Sequence, residues 1–180
     1  MAEEHPDDAR GRFEALADEV VEPVRRFLAR RTDSDTADDV LAETLLVCWR
    51  RLDQVPDPPL PWVYGVARNC LANELRGGRR QVRLAAKIST VDPPLEVEHE
   101  PEAPDERVHA ALAALRPEEA ELLRLWAWDQ LGPSEIAEVL GVTANAVSIR
   151  LHRARGKFVE ELRKIDDGAG HEGTREGRET

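Results

Sequence analysis

Ser134-Glu135-Ile136-Ala137-Glu138-Val139-Leu140-Gly141-Val142-Thr143-Ala144-Asn145-Ala146-Val147-Ser148-Ile149-Arg150-Leu151-His152-Arg153-Ala154-Arg155 reads as two short helices joined by a tight turn. Two helices that cross closely need a small residue at the crossing, and Ala137 supplies it. The turn calls for a positive backbone dihedral, which Gly141 accepts without steric cost. Ile136, Leu140, Val142, Val147 and Leu151 are all apolar and can fill the space between the helices. Thr143 is placed to cap the second helix. That helix is expected to bury Val147, Leu151, Ala154 and Phe158 and to turn Ala144, Asn145, Ser148, Ile149, His152 and Arg153 outward. No acidic residue lies between Thr143 and Lys157. The pattern suits a helix-turn-helix whose second helix enters the major groove of DNA. An amphipathic hairpin in a plain helical bundle would explain neither the glycine turn nor the acid-free second helix.

Outward from this motif, every legible element is helical. Val108, Ala111, Leu112 and Leu115 form one stripe at helical spacing. Arg116-Pro117 breaks it, with Pro117 suited to the first position of the next helix, which carries Leu122, Leu123, Leu125 and Trp126. Gly132-Pro133-Ser134 ends that element and caps the one after it. Near the N-terminus, Phe13, Leu16, Val20, Val24, Phe27 and Leu28 recur at three and four residues, predicting a helix from about Phe13 to Arg31, with Pro23 as a place for a kink. Thr32 to Thr36 is a loop rich in helix caps. A second helix, from about Ala37 to Leu52, carries the stripe Ala37, Leu41, Leu45, Cys48 and Leu52. Pro56 to Pro61 is a stiff, non-helical connector. A third helix is predicted from Trp62 to about Arg76 and is expected to stop at Gly77-Gly78, with Arg79 to Lys87 as a frayed continuation.

The fold class is therefore all-α: two small helical domains joined by a flexible linker. The expected divisions are a disordered N-terminus at 1–12, a first domain at 13–87, an acidic proline-rich linker at 88–104, a second domain at 105–165 and a disordered tail at 166–180. The linker is nearly free of Leu and Ile, so it cannot bury enough surface to offset its ordering entropy.

The net charge of the 180-residue chain is −11, which by itself argues against a nucleic-acid partner. The charges are segregated, however. Acid is concentrated near the N-terminus and in the linker, and base in Arg68 to Lys87 and in Arg150 to Lys157. Cys48 and Cys70 lack metal-ligand spacing and sit within apolar helical patterns, so both are expected to be small buried side chains. No apolar run is long enough to span a membrane, and the acidic N-terminus is no secretory signal. A cytoplasmic location without membrane insertion is expected.

One further run sharpens the function. Asp38-Asp39-Val40-Leu41-Ala42-Glu43-Thr44-Leu45-Leu46-Val47-Cys48-Trp49-Arg50, then Pro61-Trp62-Val63-Tyr64-Gly65-Val66-Ala67-Arg68-Asn69, then basic Arg76 to Arg83, resembles region 2 of the sigma-70 family. Ala146-Val147 and Arg150-Leu151-His152-Arg153-Ala154-Arg155 resemble the recognition helix of its region 4. The order and the intervening linker resemble the extracytoplasmic-function (ECF) group, over about Phe13 to Leu162. The resemblance implies a promoter-recognition subunit that binds core RNA polymerase through the β′ coiled coil and the β subunit, with promoter DNA as its target. It implicates Asp39, Glu43, Leu46 and Trp49 in polymerase docking. Arg68, Asn69, Asn73, Arg76, Arg79 and Arg80 are implied at the minus-ten element, and Ser148, Ile149, Arg150, His152, Arg153 and Arg155 at the minus-thirty-five element. Arg155 and Lys157 are candidates for phosphate contact. An anti-sigma factor is a common partner in this family. The sequence departs from the family at Ser148, where a basic residue is frequent, and at Ala42, where Gln is frequent.

The main rival is a stand-alone helix-turn-helix regulator, which has no reason to carry a basic third helix. An enzyme would need a nucleophile motif, a phosphate-binding loop or a metal cluster, and the five scattered histidines make none. No cofactor or metal is expected in the chain.

Overall fold

The computed structural model describes residues 6–86 and 106–172, with side chains over 8–77 and 106–167. The expected linker at 88–104 lies outside the described residues. The chain divides into two compact units, Met1–Pro101 and Glu102–Thr180. Every element in the described residues is a helix.

Unit 1 holds α1 (Pro6–Ala29), α2 (Ser34–Arg50), a 3-10 turn at Leu52–Gln54 and α3 (Leu60–Ala86). All three helices pack on one another. Leu16, Val20, Val24, Phe27 and Leu28 of α1 are buried against Ala37, Val40, Leu41 and Cys48 of α2 and Val63, Tyr64, Ala67, Cys70 and Leu71 of α3. Phe27 stacks on Tyr64 with ring centroids 4.8 Å apart. Its other neighbour is the Arg31 guanidinium, 3.6 Å from the ring centroid, which also donates to the Phe27 carbonyl at 2.7 Å. Thr44 is fully buried, and its hydroxyl donates to the Val40 carbonyl one turn back at 2.7 Å, so no polar group is stranded there. Cys48 and Cys70 are buried as expected. Burial, then the neighbouring Cys70, pushes the Cys48 thiol up to about 11, which leaves it protonated and unreactive at neutral pH.

Several boundaries differ from expectation, among them the start of α2, which the Asp33 cap sets at Ser34 inside the expected Thr32–Thr36 loop. α1 begins at Pro6 rather than near Phe13. Proline fits the first turn, Asp8 favours the positive end of the helix dipole, and Arg10 pairs with Glu14 at 2.9 Å. α3 begins inside the proline connector, at Leu60. Pro61 falls in the first turn, where no intrahelical donor is required of it. α3 also runs through Gly77-Gly78 to Ala86. The following Arg, Gln, Leu and Ala residues favour helix enough to outweigh about 1 kcal/mol per glycine. α7 extends to Glu172, past the expected end near Ile165. In α2 the buried stripe contains Val40 and Thr44, while Leu45 is only half-buried.

Asp33 caps α2. Its carboxylate accepts from the Thr36 N–H and from the Thr36 hydroxyl, both at 2.9 Å. Those bonds, the backbone one foremost, hold the carboxyl below its ordinary value. The stabilisation is complete above the unfolded value, near pH 4, and is lost as the pH falls through the lower folded value. Asp33→Ala is expected to cost about 1 kcal/mol at neutral pH, measured by urea unfolding. The gap between parent and variant should close on acidification, and a constant gap would assign the effect to something other than the carboxylate.

Unit 2 holds α4 (Glu106–Ala113), α5 (Pro117–Ala127), α6 (Pro133–Leu140) and α7 (Ala144–Glu172). α7 packs on each of the other three. Ala111 and Leu112, Ala120, Leu122, Leu123 and Leu125, Ile136, Ala137 and Val139, and Val147, Leu151 and Ala154 form the core. The half-buried Phe158, Leu162 and Ile165 prolong the α7 stripe, and Arg107 pairs with Asp166 at 3.0 Å. These contacts carry the packed part of α7 as far as Asp166, the first residue of the expected tail.

Candidate nucleic-acid interface

The turn between α6 and α7 is built as its residues require. Gly141 sits at φ 65°, ψ 38°, the left-handed region that glycine enters freely. The Val142 N–H donates to the Ala137 carbonyl at 3.0 Å, closing the end of α6. Thr143 starts α7, its hydroxyl accepting from the Ala146 N–H at 3.3 Å. At the other end of α6 the cap comes from Glu135, whose carboxylate accepts from the Gly132 N–H at 2.7 Å. Ile136 and Val147 are fully buried between the two helices, with Ala137 at the crossing.

With Val147, Leu151 and Ala154 inward, the helical period sends Asn145, Ser148, Ile149, Arg150, His152, Arg153 and Arg155 outward, and all are exposed. Their circumstances differ. The Ser148 hydroxyl donates back to the Ala144 carbonyl at 3.0 Å. The Arg155 guanidinium lies over the Trp126 ring of α5, 4.6 Å from its centroid. Trp126, expected on the apolar face of α5, is 39% exposed and serves as a platform for that arginine. Lys157 is paired with Glu119 of α5. The same bond holds the Glu119 carboxyl below its ordinary value. Asn145, read as outward but not among the expected contact residues, is exposed on this face. It precedes Ile149 by one turn on the same ridge.

Unit 1 presents two further faces. On α2, Asp39, Glu43 and Leu46 lie at successive turns, all exposed, with Trp49 beside them. Leu46 and Trp49 are each 45% exposed. Trp49 is therefore no core residue, though one edge meets the Phe13 ring of α1 with centroids 5.2 Å apart. On α3, Asn69, Asn73 and Arg76 share the face opposite the buried stripe, and Arg68 flanks them. Arg76 donates to the Asn73 side-chain oxygen at 2.6 Å and to the Ala72 carbonyl at 3.0 Å. That bond engages the Asn73 oxygen and not its amide hydrogens. Arg79 and Arg80 continue α3, and their side chains lie outside those described. Among the described residues no group of three His, Cys, Asp or Glu could hold a metal ion, and no helix is long and apolar enough to cross a membrane.

A glycine turn, a capped second helix and a basic outward face define a helix-turn-helix DNA-binding protein. The family described as Sigma-70, region 4 matches residues 105–158. The chain is 30% identical over 146 residues to the ECF RNA polymerase sigma factor SigL of Mycobacterium tuberculosis, covering 78% of this chain and 82% of SigL. Two solved structures share the fold. One is the sigma factor RpoE in complex with the anti-sigma factor NepR from Bartonella quintana, with TM-score 0.62 and 19% identity over 84% of this chain and 96% of that one. The other is CnrH in complex with the cytosolic domain of CnrY, with TM-score 0.55 and 24% identity over 84% of this chain and 88% of that one. The chain belongs to the ECF sigma factors of RNA polymerase. It binds core polymerase and directs promoter recognition at the start of transcription.

Proposed function

We propose that the three outward faces divide the work of promoter recognition. α7 reads the minus-thirty-five element through Ile149, Arg150, His152 and Arg153, with Asn145 added at its leading turn. Ser148 and Arg155 lie beside the bases. The observation that carries this assignment is the acid-free, outward face of α7 behind a capped glycine turn. Arg155, steadied on Trp126, suits a phosphate better than a base edge. The α3 face, with Arg68, Asn69, Asn73 and Arg76 and continuing to Arg79 and Arg80, meets the minus-ten element. Arginines grip phosphate there, and the asparagine amides address a base edge or an extruded base. Asp39, Glu43, Leu46 and Trp49 dock on the polymerase β′ coiled coil. Phosphoryl transfer belongs to the polymerase, so the chain acts where the polymerase is, in the cytoplasm, without catalysis of its own. An anti-sigma factor is a further proposed partner, as in the RpoE–NepR complex.

Run-off transcription with core polymerase on a library of randomised upstream sequences tests the assignment. Selection is expected at two separated elements, the upstream one altered by changes on α7 and the downstream one by changes on α3. The chain without polymerase should bind the same duplex weakly, since its acidic segments oppose both basic faces. Tight, sequence-specific binding by the chain alone would favour the stand-alone regulator.

A further inference from the structure

Ile149 stands out among the outward residues of α7. At 100° per residue it lies about 200° around the helix from Val147, opposite the buried stripe. It is 46% exposed. Its neighbours on that face are Asn145 one turn before it and His152 and Arg153 one turn after it, all polar or basic and all exposed. A β-branched aliphatic side chain here contributes nothing to the core. It has no donor or acceptor, so it can take no part in hydrogen-bonded readout. The adjacent Ser148 hydroxyl is turned back to the Ala144 carbonyl, which leaves the apolar surface of Ile149 as the main feature of the ridge between Asn145 and Arg153.

We infer that Ile149 is a specificity residue that selects a thymine in the upstream promoter element by contact with its 5-methyl group. This rests on the assignment of α7 to the major groove. The thymine methyl is the apolar group that the four bases present there. The stiff χ1 of a β-branched residue holds its methyl surface in one direction, as shape recognition of a single methyl requires.

The test uses holoenzyme assembled from core polymerase and the full chain, with duplexes carrying the selected upstream element. Each thymine in that element is replaced in turn by deoxyuridine, which removes the methyl group and retains every hydrogen-bonding group. For the parent, one replacement is expected to weaken binding about fourfold, the value of one buried methyl. Ile149→Ala should bind thymine and deoxyuridine duplexes equally, and Ile149→Val should retain most of the discrimination. The inference is overturned if scrambling the element weakens binding while no deoxyuridine replacement does, or if the discrimination survives in Ile149→Ala. If scrambling the whole element changes nothing, the assignment of α7 falls together with the inference.

Discussion

Replacing Leu46 and Trp49 together by alanine is expected to weaken binding to core polymerase by about 3 kcal/mol, roughly a hundredfold or more. Both side chains are large, apolar and half out of the protein on one face of α2. Asp39 and Glu43 lie along the same face and give it an acidic border. A tryptophan set among charged neighbours has the composition of a binding anchor, where removal from water and shape fit act together. The substitution also removes the edge contact between Trp49 and Phe13, worth about 1 kcal/mol to unit 1. Thermal unfolding of the free variant separates the two effects. A modest drop in stability with a large loss of polymerase affinity is the expected pair. Parent-like affinity, measured by titration of labelled sigma with core polymerase, would remove α2 from the docking surface.

The second large effect is expected on α7. Arg153→Ala should cost about 1–3 kcal/mol at the preferred upstream element and relax selectivity at one base pair. Arg153 is exposed on the ridge that carries Asn145 and Ile149, where a guanidinium can reach the paired acceptors of guanine. Arg155→Ala should act differently, weakening binding about equally on all sequences and lowering its dependence on salt. Lys157→Ala should change DNA binding little, because Glu119 already holds that ammonium. Equilibrium binding of holoenzyme to matched and mismatched elements at two salt concentrations distinguishes the three. If Arg153→Ala and Arg155→Ala give the same uniform loss, α7 is turned in the groove by about one residue from the orientation argued above.

The core and the helix-turn-helix were legible for one reason. Helical periodicity reports which side of a helix is buried, and most of the stripes of α1 and α7 could be read from it, although Phe158, expected to be buried, is half-buried. Gly141 could be read because a left-handed turn residue is almost always glycine. Helix ends were less legible. Gly77-Gly78 carried a stop signal that the favourable residues after it overrode, and the last turns of α7 carry a polar, glycine-containing composition that reads as a tail. The Arg107–Asp166 pair joins positions 59 apart in the chain, a relation no local pattern expresses.

The same distinction holds for the interface. The sequence by itself determined that the protein is all-helical, that the second unit carries a helix-turn-helix, and that Asn145, Ile149 and Arg153 share an outward ridge, because each follows from side-chain direction along a single helix. Only the tertiary structure decided which outward residues are already engaged. Trp49 meets Phe13, Arg155 rests on Trp126, and Lys157 is held by Glu119. In each case the partner comes from another helix, and the distance between them depends on how the two helices cross, which is settled by the packing of buried side chains rather than by the period of either helix.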